Sequence, residues 1–197
     1  MRLLRYCPWS SADIVAGILR VHLPDARTVL DATYGNGKFW NGSAPVTVLT
    51  MDIDTSKNPD VVADFTTMVG VGMFDVVVFD PPHLADAGKK SLMGKRFGTY
   101  KNHEIKQVVM LGARQSWLHS HKGVIIKVAD HVHGQRFVPM TDWVKEAIPA
   151  PVYDVVHQTR RTSLRDPKWK RRQLSAYNNG ATYLIYRKDG PIHKCRS

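Results

Sequence analysis

Dense apolar runs alternate with amphipathic stretches along this chain. Residues 29–31, 46–51, 61–63, 74–79 and 123–128 are rich in Val, Leu, Ile, Met and Phe, and each is short. Runs of this kind, with little polar alternation, predict strands buried on both faces, as in a parallel sheet. Residues 13–21 put Ile14, Ile18 and Val21 on one helical face, and Ser10 or Ser11 stands where an N-cap belongs. Helical patterns recur at 104–119 and 140–147. Two further strands are predicted at 152–157 and 181–186. Between them lie residues 160–173 and the turn formers Asn178, Asn179 and Gly180, so the second strand returns antiparallel. There is no internal repeat and no low-complexity linker. The expected architecture is α/β in three layers: one Rossmann-like domain over 1–197, with a mostly parallel seven-stranded sheet and an antiparallel last strand.

The ends of these runs carry the candidate chemistry. Asp31 closes the first strand and leads into a turn containing Thr33, Gly35 and Gly37. Glycines there let a backbone pass close to a ligand at the carboxyl edge of the sheet. Asp52 ends the next strand, where a carboxylate can accept ribose hydroxyls, with Asp54 a weaker substitute. Asp64 ends the third, where it can meet an adenine amine. A dinucleotide-binding turn would want a third glycine three positions after Gly37, and Trp40 stands there instead. Asp31 suits the cationic end of an amino-acid ligand.

Residues 74–79 run into Asp80-Pro81-Pro82-His83. Consecutive prolines stiffen the exit from the strand and remove two donors, and Pro81 biases Asp80 away from helical geometry. A carboxylate and a proline carbonyl then both face outward. A flat exocyclic amine has two N–H donors, and Asp80 and the Pro81 carbonyl can each accept one. That fixes the amine and favours lone-pair density on nitrogen, so catalysis would be positioning and electrostatics.

Charge adds a partner. The chain has 28 Lys+Arg against 17 Asp+Glu, a formal net charge of +11. Such an excess favours polyanions. Residues 84–103 form a long stretch with little apolar pattern, carrying Lys89, Lys90, Lys95 and Arg96. They follow the Pro-Pro turn directly, as a substrate loop would. Residues 159–180 form a basic insertion holding Arg160, Arg161, Arg165, Lys168, Lys170, Arg171 and Arg172 around Trp169, a candidate stacking or wedge residue. Cys7 and Cys195 have neither zinc-like spacing nor a disulfide pattern, which fits a reducing, cytoplasmic setting. His119 with His121, and His131 with His133, lack a companion carboxylate or cysteine at ligand spacing, so no metal is expected. No run approaches the ~20 apolar residues of a membrane span.

Asp31, Thr33, Gly35 and Gly37 resemble the first motif of class I methyltransferases that use S-adenosylmethionine. Asp80-Pro81-Pro82-His83 resembles the (Asp/Asn/Ser)-Pro-Pro-aromatic motif of small, phage-type DNA amino-methyltransferases acting on adenine N6 or cytosine N4. The order, glycine loop before Pro-Pro turn, matches one permutation of these enzymes. The resemblance implies a methyltransferase fold with S-adenosylmethionine held by Asp31, Thr33, Gly35, Gly37, Asp52, Asp64 and Asp80. Pro8 and Trp9 would line the methionine pocket. It also implies a catalytic group of Asp80, Pro81, Pro82 and His83. His83 departs from the aromatic fourth position; imidazole can stack and also hydrogen-bond. Carbon methylation at cytosine C5 would need a Pro-Cys nucleophile, which neither cysteine supplies in the right place.

The expected activity is methyl transfer to a base amine of DNA, adenine N6 first, by a monomer or homodimer. Cytosine N4, an RNA base, and a silent nucleic-acid-binding protein remain the alternatives.

Overall fold

The computed structural model describes residues 3–40, 46–82, 104–133, 136–159 and 180–188. Its elements in chain order are β1 (Tyr6–Cys7), α1 (Ser11–His22), β2 (Thr28–Asp31), β3 (Thr47–Asp52), β4 (Val61–Val62) and β5 (Phe74–Phe79). There follow α2 (Ile105–Leu118), β6 (Ser120–Val128), β7 (His131–His133), β8 (Arg136–Val138), α3 (Met140–Ala147), β9 (Asp154–Gln158) and β10 (Ala181–Arg187).

Among the described residues the main sheet has eight strands, in the order β1-β9-β10-β6-β5-β2-β3-β4. Every pair in it is parallel except those of β10, which runs antiparallel to both β6 and β9. The expected architecture is therefore correct, but its count of seven strands is one short. The extra strand is β1, too brief to leave an apolar pattern. It is held by backbone bonds from His157 N to Arg5 O and from Thr159 N (2.9 Å) to Cys7 O. The β7–β8 hairpin also went unpredicted. It accounts for the His131/His133 spacing, since alternate residues of a strand share a face.

Side-chain alternation sorts the sheet into two cores. On one face, α1 packs Ile14, Val15 and Ile18 against Val29, Val78, Ile125, Val156 and Tyr183. On the other, α2 and α3 pack Val109, Ala113, Met140 and Val144 against Leu30, Val77, Phe79, Ile126 and Leu184. Ser10 caps α1, its hydroxyl accepting from Asp13 N at 3.1 Å. No helix among the described residues is long and apolar enough to cross a membrane.

Gly112 brings α2 down onto the strand that leads to Asp80. A Cβ there would run into the Phe79 ring and stand 2.7 Å from Phe65. Phe79 is fully buried and cannot swing aside. Gly112→Ala is therefore expected to cost roughly 1–3 kcal/mol by overpacking, read as a lower urea midpoint with an unchanged m-value.

Candidate active site

β3 and β4 lie to one side of β2 in the sheet, β5 and β6 to the other. Chain connections diverge between β2 and β5, and in open α/β sheets ligands bind in the crevice outside the carboxyl ends at such a switch point. Asp31 is the last residue of β2 and Asp80 directly follows β5, so these two acids flank that crevice. Both lie on the α1 face, because Asp31 follows Val29 by two and Asp80 follows Val78 by two.

Asp31 is completely buried. Its carboxylate accepts the Thr33 amide at 3.1 Å and the Trp40 indole N–H at 2.7 Å, both neutral donors. Burial pushes the carboxyl up to about 7. The Trp40 and Thr33 hydrogen bonds oppose this rise, and the Asp80 and Asp52 charges add to it. Between about pH 4 and pH 7 the folded protein thus retains a proton that the unfolded chain releases. Stability is expected to fall as pH rises through that window, by at most on the order of 4 kcal/mol at about 1.4 kcal/mol per pH unit. Urea unfolding across this range, wild type against Asp31→Asn, checks it: the slope should flatten in the variant.

The turn after Asp31 needs its glycines. Gly35 and Gly37 have φ of 55° and 66°, a left-handed conformation that glycine adopts without cost. Among the described residues, a Cβ on Gly35 would find only the Thr33 carbonyl, at 3.8 Å, so they leave this rim of the turn open. Asp52 fastens the turn to β3: one carboxylate oxygen accepts Gly35 N at 2.8 Å, the other Asp54 N at 2.9 Å. Asp54 caps the 3-10 turn Thr55–Lys57. Asp64 lies two residues past β4 rather than at its end. Its carboxylate accepts both the amide and the hydroxyl of Thr66, at 2.8 and 2.7 Å.

The Pro-Pro turn is tied to the glycine turn. The Asp80 amide donates to the Thr33 hydroxyl at 2.9 Å. Pro81 is buried and Pro82 partly so. Across the parallel pairing of β5 and β6, Lys127 reaches Asp80, with Nζ 2.6 Å from Oδ2. Lys127 is 9% exposed and lies 5.2 Å from the Phe39 ring centroid. One strand further, Tyr183 is its register partner. Beyond it the buried Gln158 donates to the Trp9 carbonyl at 2.8 Å. The segment holding Pro8 and Trp9 is thereby secured at the same carboxyl edge. Pro8 is exposed and Trp9 half-buried.

The turns thus join Asp31, Thr33, Gly35, Gly37, Asp52 and Asp80 in one hydrogen-bonded unit, while Asp64 bonds to Thr66 beyond β4 and Trp9 is bonded to Gln158 of β9. His83 lies outside the described residues, as do Lys89, Lys90, Lys95, Arg96, Arg160, Arg161, Arg165, Lys168, Trp169, Lys170, Arg171 and Arg172. The 84–103 loop is outside as well, and so is all of 159–180 except Thr159 and Gly180. Lys127 and Gln158 are absent from the residues expected from sequence. A signal existed for Lys127: it is the one charge in an otherwise apolar 124–128 run. Cys7 is buried and donates to the Leu4 carbonyl, which suits a core residue. No cluster of metal-ligating side chains occurs among the described residues.

No protein-family model matches the chain, and no curated protein matches it in sequence. Solved structures do resemble it. N-methyltransferase NodS from Bradyrhizobium japonicum WM9 aligns with a TM-score of 0.55 at 10% identity, over 86% of this chain and 91% of that one. TrmN from Thermus thermophilus aligns at 0.54 and 14% identity, over 89% of this chain but 48% of its own, so the chain spans about half of TrmN. Magnesium protoporphyrin IX methyltransferase (ChlM) from Synechocystis PCC 6803, solved with bound SAM, aligns at 0.52 and 12%, over 91% and 78%. At these identities the likeness establishes the fold, a Rossmann-like methyltransferase fold.

Proposed function

We propose that the protein transfers a methyl group from S-adenosylmethionine to the exocyclic amine of a DNA base, adenine N6 above all. The observation that carries this is the hydrogen bond from the Asp80 amide to the Thr33 hydroxyl. It joins the Pro-Pro turn to the glycine turn at the switch point, so an amine acceptor and a methyl donor would meet there. ChlM was solved with bound SAM and NodS with S-adenosyl-L-homocysteine, which supports this cofactor for the shared fold.

The residues present fit such a cofactor. Asp31 is a buried carboxylate whose two donors are neutral, suited to the ammonium of an amino-acid moiety. The open rim at Gly35 leaves room for a ligand against the backbone. Asp52 lies beside it for ribose hydroxyls, and Asp64 for an adenine amine. When bound, S-adenosylmethionine supplies an electrophilic methyl on a sulfonium. Asp80 and the Pro81 carbonyl accept the two N–H groups of the substrate amine. They hold its nitrogen toward the donor and oppose delocalisation of its lone pair into the ring. His83 is proposed to stack on the base or hydrogen-bond to it, and the cations of 84–103 and 159–180, which lie outside the described residues, to neutralise phosphates.

The test is mass spectrometry of nucleosides from DNA and RNA, each incubated with enzyme and isotopically labelled cofactor. Labelled N6-methyldeoxyadenosine is expected. Labelled N4-methyldeoxycytidine, or label confined to RNA, would move the substrate while keeping the chemistry. Absence of any methylated base amine would refute the reading.

A further inference from the structure

We infer that Lys127 is a positioning residue for this reaction, holding the Asp80 carboxylate in the orientation that receives the substrate amine. The role rests on the amine-methylation reading above. Lys127 lies in the most buried strand of the sheet, between Ile126 and Val128, and its side chain is 11% exposed. An ammonium so placed is costly to desolvate, and replacing a whole buried ion pair by apolar side chains of similar volume is commonly neutral or stabilising. The fold does not call for this cation.

Its surroundings fix it tightly. Nζ donates to Asp80 Oδ2 at 2.6 Å and lies over the Phe39 ring. Phe39 is buried and packs edge-on to Trp40, whose indole donates to Asp31. A continuous path of contacts thus links the cofactor-side acid to the substrate-side acid. The Asp80 backbone is meanwhile anchored by Thr33. With backbone and carboxylate each held by a separate partner, Asp80 meets the amine without reorganising, the condition under which electrostatic preorganisation is effective.

The full-length protein tests this with Lys127→Met, Lys127→Arg, Asp80→Ala and the double variant Asp80→Ala/Lys127→Met. Lys127→Met is expected to lower kcat on DNA roughly 100-fold, with S-adenosylmethionine affinity by calorimetry unchanged and Lys127→Arg recovering part of the rate. The double variant should be no slower than Asp80→Ala alone, since Lys127 acts through Asp80. In the free protein, each single variant should lower Tm and the double variant should regain most of the loss. A near wild-type kcat in Lys127→Met, or strictly additive Tm losses, would overturn the inference. A wild-type protein that methylates no base amine overturns the functional reading and the positioning role with it. The Tm cycle distinguishes that failure from absence of the pair.

Discussion

Asp80→Ala is expected to lower methyl transfer by roughly 10²–10³-fold or more, while S-adenosylmethionine binding stays close to wild type. The carboxylate is proposed to contact the substrate amine, whereas the cofactor is proposed to rest on Asp31, Asp52 and the glycine turn. The substitution also leaves a buried ammonium at Lys127 without its 2.6 Å partner. Breaking a buried ion pair from one side typically costs about 3–5 kcal/mol. A simple activity loss would thus be ambiguous. The Asp80→Ala/Lys127→Met variant removes the ambiguity: it should recover stability and stay inactive. Single-turnover methylation together with urea unfolding separates the two effects. Robust turnover in the double variant would remove Asp80 from the reaction.

Asp31→Asn is expected to weaken S-adenosylmethionine binding by roughly 10- to 100-fold, the worth of a charge-assisted hydrogen bond. In the free protein the Asp31 carboxyl titrates near 7 because it is buried. A cationic group beside it favours the ionised form, so binding releases a proton and affinity should rise with pH between about 6 and 8. The variant should bind weakly at every pH and show no such rise. Calorimetry in buffers of different ionisation enthalpy measures both the affinity and the released proton. A pH-independent wild-type affinity would place the ammonium elsewhere.

Most of the fold was legible because it follows from local pattern. The buried parallel strands announce themselves as Val/Ile/Leu runs, and β5 and α3 begin and end where the pattern puts them. The acids at strand ends were legible for the same reason, since a strand that ends in Asp leaves its carboxylate at the sheet edge. What escaped depends on register between distant segments. Asp80 and Lys127 are 47 residues apart, and only the parallel pairing of β5 with β6 brings them together. Read locally, Lys127 is an isolated cation near a strand end. Gln158 escaped likewise, because its partner Trp9 lies 149 residues away. β1 escaped because two residues carry no periodicity. Asp64 was placed one step too near the sheet: β4 stops at Val62, and the carboxylate turns to Thr66.

Both borders of the main sheet are strands of two residues, β1 at one side and β4 at the other. Long flat borders invite a second molecule to add a strand, the first step of uncontrolled association. Here each border strand offers only two residues of backbone, and β1 covers His157 and Gln158 at the end of β9. On the proposed nucleic-acid substrate, border strands this short limit sheet-to-sheet joining between copies gathered on one polyanion.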